Sequence, residues 1–380
     1  MKFCVITHVE HIEVNHQFYG YAPYINEMNI WFNYVDEVEL VAPKAQHSQL
    51  NPIYINYQKS TIVFNELQAF NLKSIKAIAK TIFSLPKNFR IIYKACKKSD
   101  HIHLRCPGNI GLLGCLVQIF FPSKPKTAKY AGNWDPKSKQ PWSYKIQKWI
   151  LNNTFLTKNM KVLVYGEWQG MSSNIKPFFT ATYSNSQRKY IEPRKLNATI
   201  QFMFVGTLSE GKRPLYAVQL LHLLKKQGYD VCLTIFGDGI EKNALENYII
   251  QNNLQDTIFL KGNQAKDVVE KAYKESHFLL LASKSEGWPK VVAEAMFWGC
   301  LPLTTNVSCV NYMIGNGTRG KLLSLDQASD VQLITSLMTN ESDYFDMCEN
   351  AINWSQQFTT DYFEEEIKKM ILYNESSSVN

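Results

Sequence analysis

Two glutamates eight positions apart, Glu286 and Glu294, stand in the stretch SKSEGWPKVVAEAMFWGC, residues 283–300. Paired carboxylates raise acid/base chemistry first. Eight residues along a helix rise about 12 Å, whereas the two geometries of glycoside hydrolysis need carboxyl groups roughly 5 to 9.5 Å apart. The spacing suits a hydrolytic pair poorly. It is better matched to the two hydroxyl-bearing ends of one long ligand with phosphates between them, which is the layout of a nucleotide-sugar.

The residues between the glutamates point the same way. Pro289 fits the first position of a helix, where its missing N–H costs nothing. That helix is expected to reach about Trp298, with Gly299 as its left-handed terminator. Trp288 precedes the proline, and no Ser, Thr, Asp or Asn stands there to cap the helix start. The N–H groups of Lys290 to Val292 therefore need a partner. Lys290 in the first turn opposes the helix dipole unless an anion sits beside it. Gly287 allows close backbone approach, so a phosphate site is expected at this helix start. A water-satisfied helix start under a loop is the plainer alternative.

The elements that must position these residues form two series. The first half carries the strand candidates FCVI, VELVAP (38–43), HIHLR (101–105), TAKYA (127–131) and VLVYG (162–166), with helical patterns at 71–98 and 110–120. A second series starts near Ile200: IQFMFVG, a helix over RPLYAVQLLHLLKKQG, YDVCLTIFGDG, a helix over 240–252, TIFLKG, a helix over 265–275, HFLLLAS, the helix described above, and LPLTT. Strands alternating with helices at short spacing predict doubly wound parallel sheets. Such sheets bind ligands beyond the carboxyl ends of their strands, where the Glu286 loop falls. The polar stretch 184–199 reads as a linker. The tail WSQQFTTDYFEEEIKKMILYN reads as one amphipathic helix capped by Thr360 or Asp361, before a disordered end, NESSSVN.

A chain of 380 residues, 45% hydrophobic and 19% charged, is long enough for about two domains with ordinary cores. Its eight cysteines form no CxxC pair and are scattered through apolar runs, which fits reduced, buried thiols and a cytoplasmic protein. No signal peptide and no spanning segment is expected. Charge is uneven: residues 1–180 hold 22 Lys/Arg against 10 Asp/Glu, and the remainder 19 against 23. The basic half is expected to face something anionic.

E-x7-E in this setting resembles the signature of retaining GT-B glycosyltransferases, above all glycosyltransferase family 4. LLLASKSEGWPKVVAEAMFWGCLPLTT is similar to that family's strand, SxxEG turn, helix and strand. FMFVGTLSEGKRPLYAVQLLHLL resembles its first C-domain strand and phosphate-binding turn, and LTIFGDG its next strand and loop. The resemblance is strongest over 200–325. It implies a GT-B fold, two Rossmann-like doubly wound domains facing a central cleft. Residues 1–185 would form the acceptor-side domain and 186–355 the nucleotide-sugar domain. The helix within 356–380 would pack back on the first.

The resemblance also implies roles. Glu286 would bind hydroxyls of the donor sugar and Glu294 those of the ribose. Lys212 would neutralise the departing diphosphate. Gly206, Gly287, Trp288, Pro289, Lys290 and Val291 would line the sugar and phosphates, and Gly262 to Gln264 would lie near the base. The family usually has an arginine where this chain has Thr207; Arg213 is the candidate replacement. Many relatives carry a glycine pair after the first strand, but the loop THVEHIEVNHQFYGY has only Gly20. Where the family often places a cleft histidine, KYAGNWDP offers Asn133. His8, His103 and Arg105 are the other candidates of the first domain, with His11 and His16 beside His8 in sequence. Each has the plainer reading of a core or loop polar residue.

No Asp-x-Asp triplet occurs, so the diphosphate is expected to rely on Lys212 and the helix start, with no metal or other cofactor. The expected partners are a nucleotide-sugar donor and a saccharide or lipid-linked acceptor, and no nucleic acid, since no recognition motif accompanies the charge. Residues 71–100 hold eight Lys/Arg and one Asp, with Leu72, Ile75, Ile78 and Ile82 at helical spacing. Such a helix can lie on anionic lipid or simply face the core. The first reading would put the protein peripherally at the inner face of the plasma membrane. The Trp and Lys residues of GNWDPKSKQPWSYKIQKW add a candidate acceptor-side surface. Two other functions stay open: a GT-B nucleotide-sugar epimerase, and a nucleotide-sugar-binding protein without activity.

Overall fold

A computed structural model describes residues 1–45, 50, 54–68 and 75–372, with residues 75–83 described by their backbone alone. Leu72, Ile75, Ile78 and Ile82, which gave the basic stretch its amphipathic reading, therefore lie outside the described side chains. So does the tail 374–380. Two compact units are present: Met1–Phe178 together with the chain from Phe363, and Phe179–Tyr362.

In chain order the first unit holds β1 (Lys2–Ile6), β2 (Ile12–Val14), β3 (Gln17–Tyr21), α1 (Ala22–Phe32), β4 (Glu37–Pro43), β5 (Tyr54–Asn56), β6 (Ile62–Leu67), α2 (Ile75–Lys98), β7 (His101–Cys106), α3 (Asn109–Val117), β8 (Lys126–Tyr130), α4 (Trp142–Leu151), β9 (Met160–Tyr165) and β10 (Ile175–Phe178). Among the described residues, seven strands pair in parallel in the order β10-β9-β8-β7-β1-β4-β6. The central strand β1 is buried from Phe3 to Ile6 because helices cover both faces of such a sheet.

The residues after β1 depart from the expected loop. Strands β2, β3 and β5 form a small antiparallel sheet. Asn15 and His16, at φ +51° and +61°, make the two-residue turn between β2 and β3. Two left-handed residues suit the right-handed twist of a hairpin, and Asn tolerates that region well. Asn-His carries no glycine, so the turn signal was weak.

The second unit continues with β11 (Ile200–Val205), α5 (Pro214–Lys226), β12 (Val231–Phe236), α6 (Lys242–Gln251), β13 (Ile258–Gly262), α7 (Lys266–Glu275), β14 (Phe278–Leu281), α8 (Lys290–Phe297), β15 (Leu301–Thr305), α9 (Val310–Met313), β16 (Lys321–Leu323), α10 (Gln327–Thr339) and α11 (Glu341–Ser355). Its strands pair in parallel in the order β13-β12-β11-β14-β15-β16. A core of Phe202, Phe204, Leu220, Leu233, Phe278 and Leu303 fills the sheet faces.

Two expectations are corrected in this unit. The polar stretch 184–199 is strapped onto the unit and is not a free linker. The Arg194 guanidinium donates to the carbonyls of Tyr273, Lys274, Trp298 and Gly299 at 2.7 to 3.0 Å, which satisfies the otherwise open C-terminal ends of α7 and α8. The tail is not one helix: α11 ends at Ser355 and α12 runs Thr360–Leu372. Thr359, one residue before the expected caps, presents its hydroxyl to the Tyr362 N–H at 3.2 Å. From Phe363 the chain belongs with the first unit, where Phe363 packs on Phe178 and Glu366 pairs with Lys176 at 2.8 Å. No helix among the described residues is long and apolar enough to cross a membrane.

Candidate active site

The carboxyl ends of β11, β12 and β13 lead into loops that bond to one another through their backbones. Gly206 N–H donates to Phe236 O at 3.0 Å, Leu208 N–H to Asp238 O at 3.0 Å, and Gly237 N–H to Gly262 O at 2.8 Å. Gly237 is required here. At φ +135° it would place a Cβ only 1.9 Å from Gly206 O. The FGDG sequence is thus a close backbone approach that joins the loops after β11 and β12. Thr207 is exposed, and Gln264 folds its amide back on Lys261 O at 2.6 Å.

The loop after β11 is also tied to the loop after β14. Lys284 N–H donates to Gly211 O at 2.8 Å, the Lys284 ammonium pairs with Glu210, and the Arg213 guanidinium donates to Ala282 O at 3.2 Å. Across this seam Lys212 Nζ meets Glu286 Oε1 at 2.5 Å. Glu286 is 10% exposed at its side chain and Lys212 28%, so the pair is shielded from water yet reachable. Residues 74 apart in sequence are brought into one charge-assisted bond. Arg213 itself sits at φ +50°, just before Pro214 opens α5.

Helix α8 departs slightly from expectation. Pro289 is its N-cap, in an extended conformation, and the helix begins at Lys290. No side chain caps it, as expected, but the Val292 N–H is already met by Pro289 O at 2.9 Å. The first turn has tightened to satisfy that donor. The other end is a Schellman motif: Gly299, at φ +70°, donates to Met296 O and Cys300 to Ala295 O. Trp288 is 7% exposed and packs against Trp354 and Phe358, so it anchors the loop in the core. Gly287 O is held from the far side by the Ser308 hydroxyl at 2.8 Å and the Cys309 thiol at 3.2 Å.

Glu294 faces a separate small pocket with Lys290, Ala293, Phe297 and the segment 180–183 on its walls. The Thr182 hydroxyl donates to Glu294 Oε1 at 2.7 Å, and the Tyr273 hydroxyl to Oε2 at 3.2 Å. Burial, with Glu294 beside it, pushes the Tyr273 hydroxyl well above its ordinary pKa, so it remains a proton donor. Val291 is half-buried on the same helix. Thr182, Tyr273, Ser308 and Cys309 were not legible in the sequence. Each reaches the site from more than twenty residues away, and none has a local pattern to mark it.

The candidates of the first unit have different surroundings. His103 is fully buried, its Nδ1 2.8 Å from the Thr127 hydroxyl and its ring against Phe3 and Trp31. Burial lowers its pKa to about 3, so it stays neutral. It is a core histidine, which corrects its candidacy. His101 shares the same hydroxyl at 3.0 Å. His11 is likewise buried, on Tyr57 at 2.8 Å, and His16 is exposed on the hairpin turn. Arg105 donates to Glu27 at 2.7 Å, and Lys129 pairs with the same carboxylate at 3.0 Å. His8 lies against Gly108, its pKa lowered by desolvation and by Arg105. Asn133 accepts from Asp135 N–H at 2.9 Å and so shapes its own turn. Among the described residues no cluster of three or more His, Cys, Asp or Glu could hold a metal ion.

Residues 187–354 match the family of glycosyl transferases group 1. An uncharacterized glycosyltransferase of Methanocaldococcus jannaschii is 28% identical over 131 residues, 34% of this chain and 37% of its own length. The poly(glycerol-phosphate) alpha-glucosyltransferase of Bacillus subtilis is 24% identical over 176 residues, 45% of this chain and 26% of its own. The chain thus spans between about a quarter and two fifths of the length of these curated relatives. The solved structure of Anabaena HepE, in complex with UDP and glucose, superposes with a TM-score of 0.65 at 14% identity, covering 99% of this chain and 100% of that one. The protein has the GT-B fold. The match to the glycosyl transferases group 1 family lies within its second unit.

Proposed function

We propose that the protein is a glycosyltransferase that moves a sugar from a nucleotide-sugar, with retention of anomeric configuration, onto a saccharide or lipid-linked acceptor. Surface polysaccharide assembly at the cytoplasmic face of a membrane is the setting this reading favours. The observation that carries it is the Lys212–Glu286 pair, 2.5 Å apart across the loops after β11 and β14, with Glu294 in the helix that follows, α8. Each group has capacity left for a ligand. An ammonium has three donors, so Lys212 can hold Glu286 with one and meet phosphate oxygens with the others. A carboxylate offers about four acceptor positions, so Glu294 can receive ribose hydroxyls beside Thr182 and Tyr273. Glu286 then accepts from hydroxyls of the sugar, and Lys212 stabilises the charge that builds on the leaving diphosphate.

The relatives support the same class. One is named for transferring glucose to poly(glycerol-phosphate), and the HepE structure holds UDP and glucose. With Lys212 supplying the cation and no Asp-x-Asp motif in the chain, transfer should proceed in excess chelator; strict dependence on a divalent cation would contradict this electrostatic assignment.

The deciding experiment uses UDP-, GDP- and ADP-sugars. One base should raise the melting temperature, because a ligand bound only by the native state stabilises it by about 2.7 kcal/mol at a hundred times its Kd. Release of that nucleoside diphosphate should then require an acceptor. Tight nucleotide binding without acceptor-dependent release would replace the transferase reading with that of a binding protein.

A further inference from the structure

Helix α4 buries polar as well as apolar side chains: Ser143, Gln147, Ile150 and Leu151 are 6%, 0%, 2% and 0% exposed. Gln147 has structural work there: its carbonyl accepts the Gly108 N–H at 3.2 Å and its amide donates to Ser143 O. The solvent side carries Trp142, Ile146 and Trp149, at 61%, 39% and 63% exposed. These positions, i, i+4 and i+7, form one stripe. Lys145 is exposed on the edge of that stripe.

The stripe is not isolated. The turn after α4 presents Phe155, 75% exposed, with Lys158 over its ring. Helix α3 packs beside α4 and α2 beside α3. The turn that ends α3 presents Phe120, 61% exposed, which touches the ring of Tyr93 on α2. Arg90 and Lys97, three before and four after Tyr93, share its side of α2 and are exposed. Among the described residues neither forms an ion pair. Exposed aromatic groups gathered on one helical layer mark an interaction surface. Tryptophans flanked by lysines and arginines have the composition of a bilayer interface, where the indoles enter the headgroup layer and the cations meet lipid phosphates.

We propose that this α2–α3–α4 face of the first unit docks on an anionic lipid bilayer, with Trp142, Ile146, Trp149 and Phe155 entering the interface. The charge complementarity selects the occupant: the half of the chain that bears the face has 22 Lys/Arg against 10 Asp/Glu, and a neutral or zwitterionic surface would leave that excess unmatched. The surface stands on its own residues and does not need the transfer reading, because its test uses neither donor nor acceptor.

The full chain is sedimented with vesicles of phosphatidylcholine containing phosphatidylglycerol, and with phosphatidylcholine alone. It should bind the first, and its tryptophan fluorescence should be quenched when the anionic vesicles contain brominated acyl chains. Trp142→Ser with Trp149→Ser should weaken binding about tenfold or more. Both sites are exposed, so the melting temperature should stay within a few degrees. Arg90→Gln with Lys97→Gln should weaken binding only to anionic vesicles. Absence of binding by the unaltered chain, binding unchanged in the tryptophan variant, or burial of the same tryptophans in a concentration-dependent dimer would each overturn the proposal. Quenching by oligosaccharides without vesicle binding would also overturn it.

Discussion

The two units are built on the same plan, a parallel sheet with its loops at the carboxyl ends of the strands, yet they place their charged and polar side chains differently. In the second unit Lys212 and Glu286 meet on the loops after β11 and β14, and Glu294 follows inside helix α8. In the first unit His103, His11 and the Glu27–Lys129 pair are drawn into the interior; the pair is matched in charge, while each histidine bonds through one ring nitrogen and leaves the other without a hydrogen-bond partner among the described residues. The same residue types therefore mean different things. A charged pair on strand-end loops keeps partial exposure, as Lys212 and Glu286 do. A histidine on a strand, with a threonine hydroxyl on the neighbouring strand, is part of a core.

The sharpest way to break this contrast is Glu286→Ala. It should lower kcat/KM for transfer by about a thousandfold or more, the scale of losing one preorganised polar group at a reacting centre, while the protein melts within a few degrees of its usual temperature. An active variant would remove the second unit's claim to the site. Gly237→Ala comes next. Its added Cβ meets Gly206 O at 1.9 Å and its backbone sits at φ +135°, so urea unfolding should show a loss of about 2–4 kcal/mol together with weaker donor binding. Unaltered stability and binding would mean that the close approach does not hold these loops.

Acid should separate the units. His11, His101 and His103 have folded pKa values of about 4, 3 and 3, depressed chiefly by burial from the ordinary 6.5. The unfolded chain therefore binds more protons than the folded one below about pH 6.5, and the first unit loses stability progressively from there toward pH 3. The second unit has His222 and His277 lowered as well, without shifts of that size. Hydrogen exchange near pH 4.5 should open the first unit's sheet before the second's, and the reverse order would contradict the assignment. The smallest effect is expected for His103→Leu. Thr127 keeps His101 as a partner, so the cost should be about 1–2 kcal/mol of stability. The kcat/KM for the proposed transfer should stay within twofold, and a large loss would return His103 to the site.

Much of the second unit was legible because its signals are local. The strand runs, the E-x7-E spacing, the FGDG loop and the terminator Gly299 each lie within a few residues of what they specify. The first unit was less legible. Its hairpin at Asn15–His16 lacks the glycine that usually announces one, and the alternation of HIHLR fixes a strand without saying which face carries the ligand. Exposed Trp142 and Trp149 also run against the usual burial pattern, although the same helix buries Ile150 and Leu151.

By itself, the sequence determined the alternation of strands and helices, the two-sheet architecture and the carboxylates at residues 286 and 294, since periodicity and turn chemistry act over short stretches of chain. Only the tertiary structure decided that Lys212 meets Glu286, that Thr182 and Tyr273 hold Glu294, and that His103 is core. Those outcomes depend on which strand ends become neighbours and which side chains lose their water, and both are set by the packing of segments tens of residues apart.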